Sequence, residues 1–412
     1  MKPLPNVGNG SVRTQPKWPA TINVSFINSL CVERDAISMA VRDEMAALRT
    51  VPGVNAKLFT YRCDISDVHF LPVETITDIA FDRHFQTSDI VIAHYGVRYP
   101  LFNVLPLTPR RATRIVVFHN VTPIAHSPRS GHDGVAISLR QISNAQWADH
   151  VICDSETNLE TLREMGVTTA ASVLPLAVHG SPRPPETKPS GRDGVVRIAF
   201  VGRFVKSKGV TDLLHALAAL LGRGALTNVR LVLIGNTEFS SPSTLARMQN
   251  QIDALRRDVG RHLSVELVAD ASDEHKTEVL RESDLFVLPT YHEGFCVPIL
   301  EAIAAGCRVI TYDNSNTARI GGGLTTLVPT GDLERLAATI ESATADVRSE
   351  AWHGPGQSGY RDYVERAQRH VDYYAPAVVH ARFRDAVVSI RRLTVPEPDE
   401  RWPIAVEPTE PA

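Results

Sequence analysis

Residues 284–311 read DLFVLPTYHEGFCVPILEAIAAGCRVIT, and this stretch predicts one strand–loop–helix–strand unit. The apolar run 284–289 has the length and composition of a buried strand. Pro298 suits the first turn of a helix, where its missing N–H costs nothing, and Gly306 suits the left-handed residue that caps the end of one. A second apolar run follows from Cys307. Because a helix joins the two strands, they are expected to lie parallel in a sheet covered on both faces.

The same alternation of apolar runs and helical patterns extends outward from this unit. Toward the second half of the chain, strand-like runs lie at 196–201, 230–234, 264–268 and 308–311, with helical patterns at 210–221 and 245–259. In the first half, strand-like runs lie at 21–27, 89–93, 114–118 and 150–153, with helical patterns at 35–48 and 156–165. The pattern predicts an α/β protein made of two doubly wound, Rossmann-like parallel-sheet domains that face each other across a cleft.

Proline and glycine content marks the expected boundaries of these domains. Four prolines between His179 and Gly191 exclude a buried strand or a helix interior there, which indicates a linker. The expected organisation is a flexible tail (1–19), an N-terminal acceptor-side domain (20–180), the linker (181–194), a C-terminal nucleotide-sugar-binding domain (195–374), a helix that packs back on the first domain (375–395) and a second tail (396–412).

Composition narrows the class of partner. The 412 residues carry a net charge of -3, and no basic stripe of the kind that binds nucleic acid is evident. A small cluster at Arg110, Arg111 and Arg114 fits either a solvated loop or a surface that faces an anionic substrate or a membrane. No apolar run reaches the length of a bilayer span, the N-terminus lacks the apolar centre typical of a secretory signal, and the five cysteines lack metal-type spacing. We therefore expect a cytoplasmic protein with reduced thiols and at most peripheral contact with the inner face of the membrane.

A basic loop follows the strand at 196–201. The sequence FVGRFVKSKG at 200–209 places Gly202 at a tight turn and Arg203 and Lys208 ahead of an amphipathic helix. A helix N-terminus with a guanidinium and an ammonium group beside it suits a phosphate. The alternative is an ordinary basic strand-to-helix loop, and the segment alone does not decide between them.

The segment EGFCVPILE at 293–301 predicts a second phosphate-binding element. Gly294 allows close approach of a ligand, and the amides of Phe295, Cys296 and Val297 precede or begin the helix, which together form an anion nest. Glu293 and Glu301 flank this nest and suit the hydroxyls of a sugar and a ribose. The alternatives are a solvent-facing Glu301 and a Glu293 that only stabilises the helix start.

Taken together, these two elements resemble the retaining family-4 glycosyltransferases of the GT-B fold, and the likeness extends over most of the chain. In the first lobe, VVFHNVTP at 116–123 and VICDSETN at 151–158 resemble segments of bacterial polysaccharide members, including mannosyltransferases. The chain departs from the family at 27–34, where a glycine-rich loop is common, at Cys296, where glycine is common, and at Arg308, where proline is common. The departure at 27–34 concerns backbone contacts to the acceptor. The changes at Cys296 and Arg308 remove no backbone N–H donor, so binding of the donor sugar nucleotide is expected to persist.

The resemblance implies a role for each matching position. Gly202, Arg203 and Lys208 match the element that grips the donor diphosphate. Glu293 matches a glutamate near the transferred sugar, and Glu301 matches the carboxylate that accepts the ribose hydroxyls. The positions between them that match contacts to sugar hydroxyls and phosphate are Gly294, Phe295, Cys296 and Val297. His119 matches a histidine near the reacting sugar, with loop ordering as the alternative, and His94 is open between a cleft residue and a structural one.

The implied reaction moves a hexose from a GDP- or UDP-linked sugar to a glycan or lipid-linked acceptor, with retention at the anomeric carbon. The nucleotide sugar is a co-substrate, and neither a cofactor nor a metal ion is expected, since no Asp-x-Asp clamp lies at a strand end. The His-Asn-Val-Thr-Pro likeness favours mannose and surface polysaccharide synthesis. The alternatives are a non-catalytic scaffold subunit of the same fold and a sugar-nucleotide epimerase or a phosphorylase.

Overall fold

The computed structural model describes residues 21–33, 35–126, 132–180, 183–188, 193–237, 240–260, 262–353 and 359–394. The two expected tails, 1–19 and 396–412, lie outside these residues, as does part of the expected linker. Two parallel sheets account for most of the strands, and each is the centre of one lobe. The expected α/β class with two doubly wound domains is confirmed.

The first lobe is built on a seven-stranded parallel sheet with the strand order β5-β3-β1-β6-β7-β8-β9. Its strands are β1 (Ile22–Ile27), β3 (Val54–Thr60), β5 (Phe70–Pro72), β6 (Ile90–Tyr95), β7 (Thr113–Phe118), β8 (His150–Cys153) and β9 (Ala171–Val173), and a separate two-stranded sheet pairs β2 (Leu30–Cys31) with β4 (Arg62–Cys63). The helices are α1 (Ala36–Arg49), α2 (Ile76–Ala80), α3 (Arg83–Gln86), α4 (His132–Gln141) and α5 (Glu156–Glu164), with 3₁₀ turns at Pro100–Leu107, Ile124–His126 and Ile142–Trp147.

The second lobe repeats the arrangement with six parallel strands in the order β12-β11-β10-β13-β14-β15. These are β10 (Val196–Val201), β11 (Val229–Gly235), β12 (Leu263–Ala269), β13 (Leu285–Leu288), β14 (Arg308–Asp313) and β15 (Thr325–Pro329). Its helices are α6 (Val210–Gly222), α7 (Pro242–Val259), α8 (Asp273–Glu282), α9 (Val297–Ala304), α10 (Thr317–Gly321), α11 (Leu333–Arg348), α12 (Glu350–His353) and α13 (Gly359–Val371), with 3₁₀ turns at Lys206–Lys208 and Asp372–Tyr374.

Each sheet reverses its strand order once, and this reversal positions the candidate site. In the first lobe the reversal lies between β1 and β6, and in the second it lies between β10 and β13. Helices that leave neighbouring strands in opposite directions open a crevice beyond the carboxyl ends of those strands, and ligands of doubly wound sheets bind there. The central strands are buried from both sides, because helices cover both faces of each sheet.

The last described helix, α14 (Pro376–Thr394), returns to the first lobe. Its apolar residues Phe383, Val387 and Ile390 are buried in the same cluster as strand residues of the first lobe. The guanidinium of Arg391 donates to the carbonyl of Arg111 at 2.6 Å. The chain therefore crosses between the lobes twice, once before β10 and once before α14. No described helix is both long enough and apolar enough to span a bilayer.

The described part of the proline-rich linker is anchored to the second lobe by a buried lysine. Lys188 is 1% exposed, and its ammonium group donates to the carbonyls of Leu280, Arg281 and Ala305 at 3.2, 2.9 and 2.7 Å. Burial lowers the pKa of Lys188, and the three carbonyl acceptors offset part of the cost of desolvating the charge. This segment is consequently packed against the second lobe rather than free in solvent.

Candidate active site

The loops that follow the strands of the two lobes meet at one contact around Gly294. The Ser155 hydroxyl of the first lobe donates to the carbonyl of Gly294 in the second at 2.6 Å. The His292 ring lies 3.2 Å from the amide oxygen of Asn120. An added Cβ at Gly294 would lie 2.5 Å from the Cβ of Asn120 and 2.8 Å from the carbonyl oxygen of His119. Glycine was expected here for close approach of a ligand; the group that approaches it in the structure is the loop of the other lobe.

Backbone strain gathers at the same contact. Asn120 (φ 145°), Cys296 (φ 81°) and Ser315 (φ 41°) are non-glycine residues with positive φ, and all three belong to the loops that form the cleft. Such conformations persist only when the surrounding packing enforces them, and they concentrate at functional sites. Cys296 occupies a position where the family commonly has glycine, and its left-handed backbone supplies the physical reason for that preference.

The basic loop after β10 contributes Lys208 and Arg203. The Lys208 ammonium group forms an ion pair with the Glu293 carboxylate at 2.6 Å, and their side chains are 17% and 6% exposed. The Arg203 side chain is exposed and, among the described residues, its guanidinium has no hydrogen-bond or ion-pair partner. Lys208 is thus already held beside the helix start, and Arg203 is available to a ligand.

Glycine is required in this loop at a different position from the one expected. A Cβ on Gly202 would meet only ordinary contacts, with Phe200 at 3.7 Å and Leu288 at 3.8 Å, and its φ is not positive. Gly209 has φ +68°, and a Cβ there would lie 1.9 Å from the carbonyl oxygen of Pro289. The tight turn therefore depends on Gly209, while Gly202 leaves the space next to the loop open.

Helix α9 begins at Val297 beyond the left-handed Cys296. Among the described residues, the backbone amides of Phe295 and Cys296 have no hydrogen-bond partner, and the amide of Val297 is the first of the helix. Burial raises the pKa of the Cys296 thiol well above its usual range, so this group stays protonated. The helix start thus presents unpaired N–H groups and the positive end of the helix dipole, both of which favour an anion.

Two residues that the sequence did not single out brace this loop from the segment after β14. The amide of Glu293 donates to the Ser315 hydroxyl at 2.9 Å, and the Asn316 side chain donates to the carbonyl of Phe295 at 3.0 Å. Both are polar residues that follow strand β14 closely in sequence. That they support this loop is visible only from tertiary contacts, because no spacing in the sequence indicates it.

Glu301, expected at the ribose, is held by a lysine of the neighbouring helix. Its carboxylate lies 2.7 Å from the ammonium group of Lys276, which also pairs with Asp273 at 3.0 Å. Burial acts to lower the pKa of Lys276, but the two carboxylates more than offset it, so the pKa is raised. A solvent-facing Glu301 is excluded, since the residue is 8% exposed. Any hydroxyl bound here would share the carboxylate with Lys276.

In the first lobe, buried side chains at the ends of three neighbouring strands, together with Glu44 of helix α1, form a row of four. His119 Nδ1 lies 2.8 Å from Asp154, and His119 Nε2 lies 2.8 Å from His94 Nδ1. The other ring nitrogen of His94 lies 3.2 Å from the Glu44 carboxyl. Both nitrogens of His119 are therefore engaged within the lobe. His119 was expected to lie near the reacting sugar; the structure directs its ring inward and brings its carbonyl to the interlobe contact.

Burial and neighbouring charges shift the pKa values of three of these four side chains. Burial acts to lower the pKa of His119, and the charge and hydrogen bond of Asp154 more than offset it, so the pKa is raised. Burial lowers the pKa of His94, and the neighbouring charge of His119 lowers it further. Burial raises the pKa of Glu44 well above its usual range. These directions favour the charged form of His119 beside Asp154 and the uncharged forms of His94 and Glu44.

Comparison with known proteins supports the identification of both the domain and the fold. Residues 195–346 match the family "Glycosyl transferases group 1". A D-inositol 3-phosphate glycosyltransferase of Corynebacterium efficiens is 26% identical over 220 residues, which are 50% of this chain and 49% of that protein. An MMP alpha-(1->4)-mannosyltransferase of Mycolicibacterium hassiacum is 29% identical over 185 residues, 43% of this chain and 41% of the relative.

These matches cover only part of each protein, so that the chain spans about half the length of the curated relatives, or less. Over nearly its whole length the chain is similar in structure to the sucrose-phosphate synthase of Thermosynechococcus elongatus. The TM-score is 0.65 with 17% identity, over 89% of this chain and 99% of the other. At that identity the likeness concerns the fold. The chain therefore carries a glycosyl transferase group 1 domain as its second lobe within a GT-B fold, which confirms its resemblance to the family-4 type of glycosyltransferase.

Proposed function

We propose that this protein is a retaining hexosyltransferase that moves a sugar from a GDP- or UDP-linked donor to a glycan or lipid-linked acceptor in polysaccharide or glycoconjugate synthesis. The observation that carries the proposal is the ion pair of Lys208 and Glu293 beside the start of helix α9. This pair places a cation and a carboxylate at the point where unpaired amides of Phe295 and Cys296 favour an anion. A diphosphate and the sugar attached to it need these two kinds of group next to each other.

Electrostatic stabilisation of the leaving diphosphate is the main chemical requirement of the reaction. Arg203, Lys208 and the amides at the helix start would supply it without a metal ion. Phosphate oxygens that approach Lys208 compete with Glu293 for the ammonium group. A donor would thus release the Glu293 carboxylate to accept hydroxyls of the transferred sugar, and the pair in the free protein keeps that carboxylate oriented until then.

Retention at the anomeric carbon needs either a covalent intermediate or attack from the face of the departing group. The carboxylate next to the helix start, Glu293, is paired with Lys208 at 2.6 Å, an arrangement suited to binding rather than to nucleophilic attack. We therefore favour same-face attack, in which the departing phosphate takes the proton of the acceptor hydroxyl. Contact between the lobes around Gly294 would exclude water from the cleft and suppress donor hydrolysis.

The name of one matched relative supports a mannose donor as the first candidate. One relative is a glycosyltransferase acting on D-inositol 3-phosphate and another is a mannosyltransferase. We propose a hexose donor on this basis, with a GDP-linked mannose as the first candidate. The acceptor would bind against the first lobe, where the loop after β1 lacks the glycines common in the family.

A donor panel tests the proposal directly. The full chain is first screened for thermal stabilisation by GDP-, UDP- and other nucleotide sugars, because binding to the native state must raise stability. Transfer is then measured with the best donor for wild type, Arg203→Ala and Glu293→Ala, with Arg223→Ala as a matched control, since Arg223 is an exposed arginine paired with Glu341. We expect both site variants to lose at least tenfold in rate and the control to match wild type. Near-normal transfer by both site variants would contradict the assignment, and stabilisation by no nucleotide would favour a scaffold subunit.

A further inference from the structure

A group of three side chains on the first-lobe side of the molecule, away from the proposed donor site, has the composition of a metal site. Asp43 Oδ2 lies 2.5 Å from His179 Nε2 and 3.7 Å from His380 Nε2. The three ligand atoms all lie within 4.8 Å of one another. In a tetrahedral zinc site with bonds of about 2.0–2.1 Å, neighbouring ligand atoms are about 3.3 Å apart. Shifts of less than about 1 Å would bring the trio to that geometry.

The free ring nitrogen of His380 is the feature that an ordinary ion pair leaves unexplained. The His179–Asp43 contact by itself is a hydrogen-bonded ion pair. His380 Nε2, however, is buried and, among the described residues, has no hydrogen-bond partner, although it points toward the same carboxylate oxygen. A buried polar atom without a partner is destabilising, because it has lost its hydrogen bonds to water without replacement. Coordination of an ion shared with Asp43 would satisfy it.

The surroundings allow an ion to reach and occupy this position. Asp43 and His380 both line a small cavity of about 20 Å³, and about 10–15 Å³ is enough for a water-sized occupant. The His179 side chain is 43% exposed and leaves an access route from solvent. The ring nitrogens and carboxylate oxygen are ligands that suit a borderline-soft divalent cation such as Zn²⁺.

The trio joins three separate segments of the chain. Asp43 lies in helix α1 of the first lobe, His179 lies at the point where the chain leaves that lobe, and His380 lies in helix α14, which returns to it. Two of the ligands therefore belong to the two crossings between the lobes. An ion held by all three would fasten both crossings to α1.

We propose that Asp43, His179 and His380 bind a divalent transition-metal ion of the zinc type, with water completing its coordination, and that this ion clamps the two interlobe crossings to the first lobe. The role is structural, and it is independent of the donor chemistry proposed above. On binding, the ion takes the place of the proton shared by His179 and Asp43, which leaves to solvent.

The test uses the tag-free full chain after treatment with a chelator. Zn²⁺ binding is measured by competition with a chromophoric chelator, and the ligands are identified by X-ray absorption at the zinc edge. We expect one site per chain of micromolar or tighter affinity with nitrogen and oxygen ligands and no sulfur. His179→Gln and His380→Gln should each weaken binding at least tenfold. Hydrogen exchange in residues 376–394 should slow on addition of Zn²⁺ to the wild type but not to these two variants.

A matched control guards against adventitious binding, because the chain has 15 histidines and 5 cysteines. His215 is an exposed histidine on helix α6 of the other lobe, and His215→Gln should bind Zn²⁺ as the wild type does. Circular dichroism checks that each variant is folded. Wild-type binding no tighter than that of the His179→Gln/His380→Gln double variant, or a zinc edge that shows sulfur ligands, would overturn the proposal.

Discussion

Replacing Gly294 with alanine should interfere with the approach of the two lobes while leaving each lobe intact. The backbone of Gly294 does not have a positive φ, so alanine is compatible with the local conformation. The added Cβ would lie 2.5 Å from Asn120 Cβ and 2.8 Å from the carbonyl oxygen of His119, both in the other lobe. Since carbon atoms pack at about 3.5–4.0 Å, relief requires a separation of about 1 Å across the contact.

The size of the effect follows from this clash. Overpacking of this kind costs about 1–3 kcal/mol, and a cost of that size disfavours the closed arrangement about 5- to 150-fold. A misplacement of about 1 Å in a catalytic cleft is also enough to slow a reaction about 10²-fold. Gly294→Ala should therefore lose one to two orders of magnitude in transfer rate, with an unfolding transition close to that of the wild type.

Two measurements check the prediction independently of each other. Transfer rates report the reaction, and small-angle scattering with and without donor reports the approach of the lobes whether or not the proposed reaction is correct. Gly222→Ala is the control, because Gly222 has no positive φ and a Cβ there would meet nothing within 4 Å. A Gly294→Ala protein that contracts on donor binding as the wild type does, at a rate within twofold of it, would refute the reasoning.

Two further predictions concern buried charged groups of the two lobes. Lys208→Met should destabilise the protein by about 3 kcal/mol, because it leaves the Glu293 carboxylate, 6% exposed, without its cationic partner. Adding Glu293→Gln should recover most of that stability in denaturant unfolding but not the donor affinity, and equal instability of the single and double variants would contradict this. Asp154→Asn should lower the free energy of unfolding more at pH 5.5 than at pH 8.5. The reason is that the raised pKa of His119 contributes stability that is present below about pH 6.5 and is lost as the pH rises through the folded-state pKa. An equal loss at both pH values would show that the Asp154–His119 pair is not charged.

The sequence was most informative where strands are mostly apolar. The runs at 196–201 and 150–153 coincide with β10 and β8, because each has at least three consecutive apolar residues, and such runs are typical of strands in a covered sheet. The strand Val54–Thr60 was not recognised. Its first half is partly exposed, because the short edge strand β5 pairs only with the second half, and Asn55 and Lys57 interrupt the apolar pattern there. A half-covered strand carries a weaker signal than a fully buried one.

Within the site, positions at strand ends could be predicted but their partners could not. His119 was singled out because it matches a position of the family that the sequence resembles, and His94 because it lies at a strand end. Asp154 follows the next strand of the same sheet, so its proximity to His119 was within reach of the same reasoning. Glu44 comes from helix α1, and Lys208 reaches Glu293 across 85 positions of sequence. Contacts of this kind depend on how helices and loops pack on the sheet, which periodicity does not record.

On the proposed function, the loop at 290–297 would link donor binding to the approach of the lobes. Its Gly294 carbonyl accepts from Ser155 of the first lobe, and the next two amides lie at the helix start proposed to bind phosphate. A donor phosphate that orders these amides also fixes the carbonyl one residue away, and contact with Ser155 fixes the amides in turn. Because linkage is reciprocal, closure must strengthen donor binding by the same factor by which the donor favours closure. On the proposed function, Ser155 and Asn120 thus contribute to donor affinity through the loop they hold.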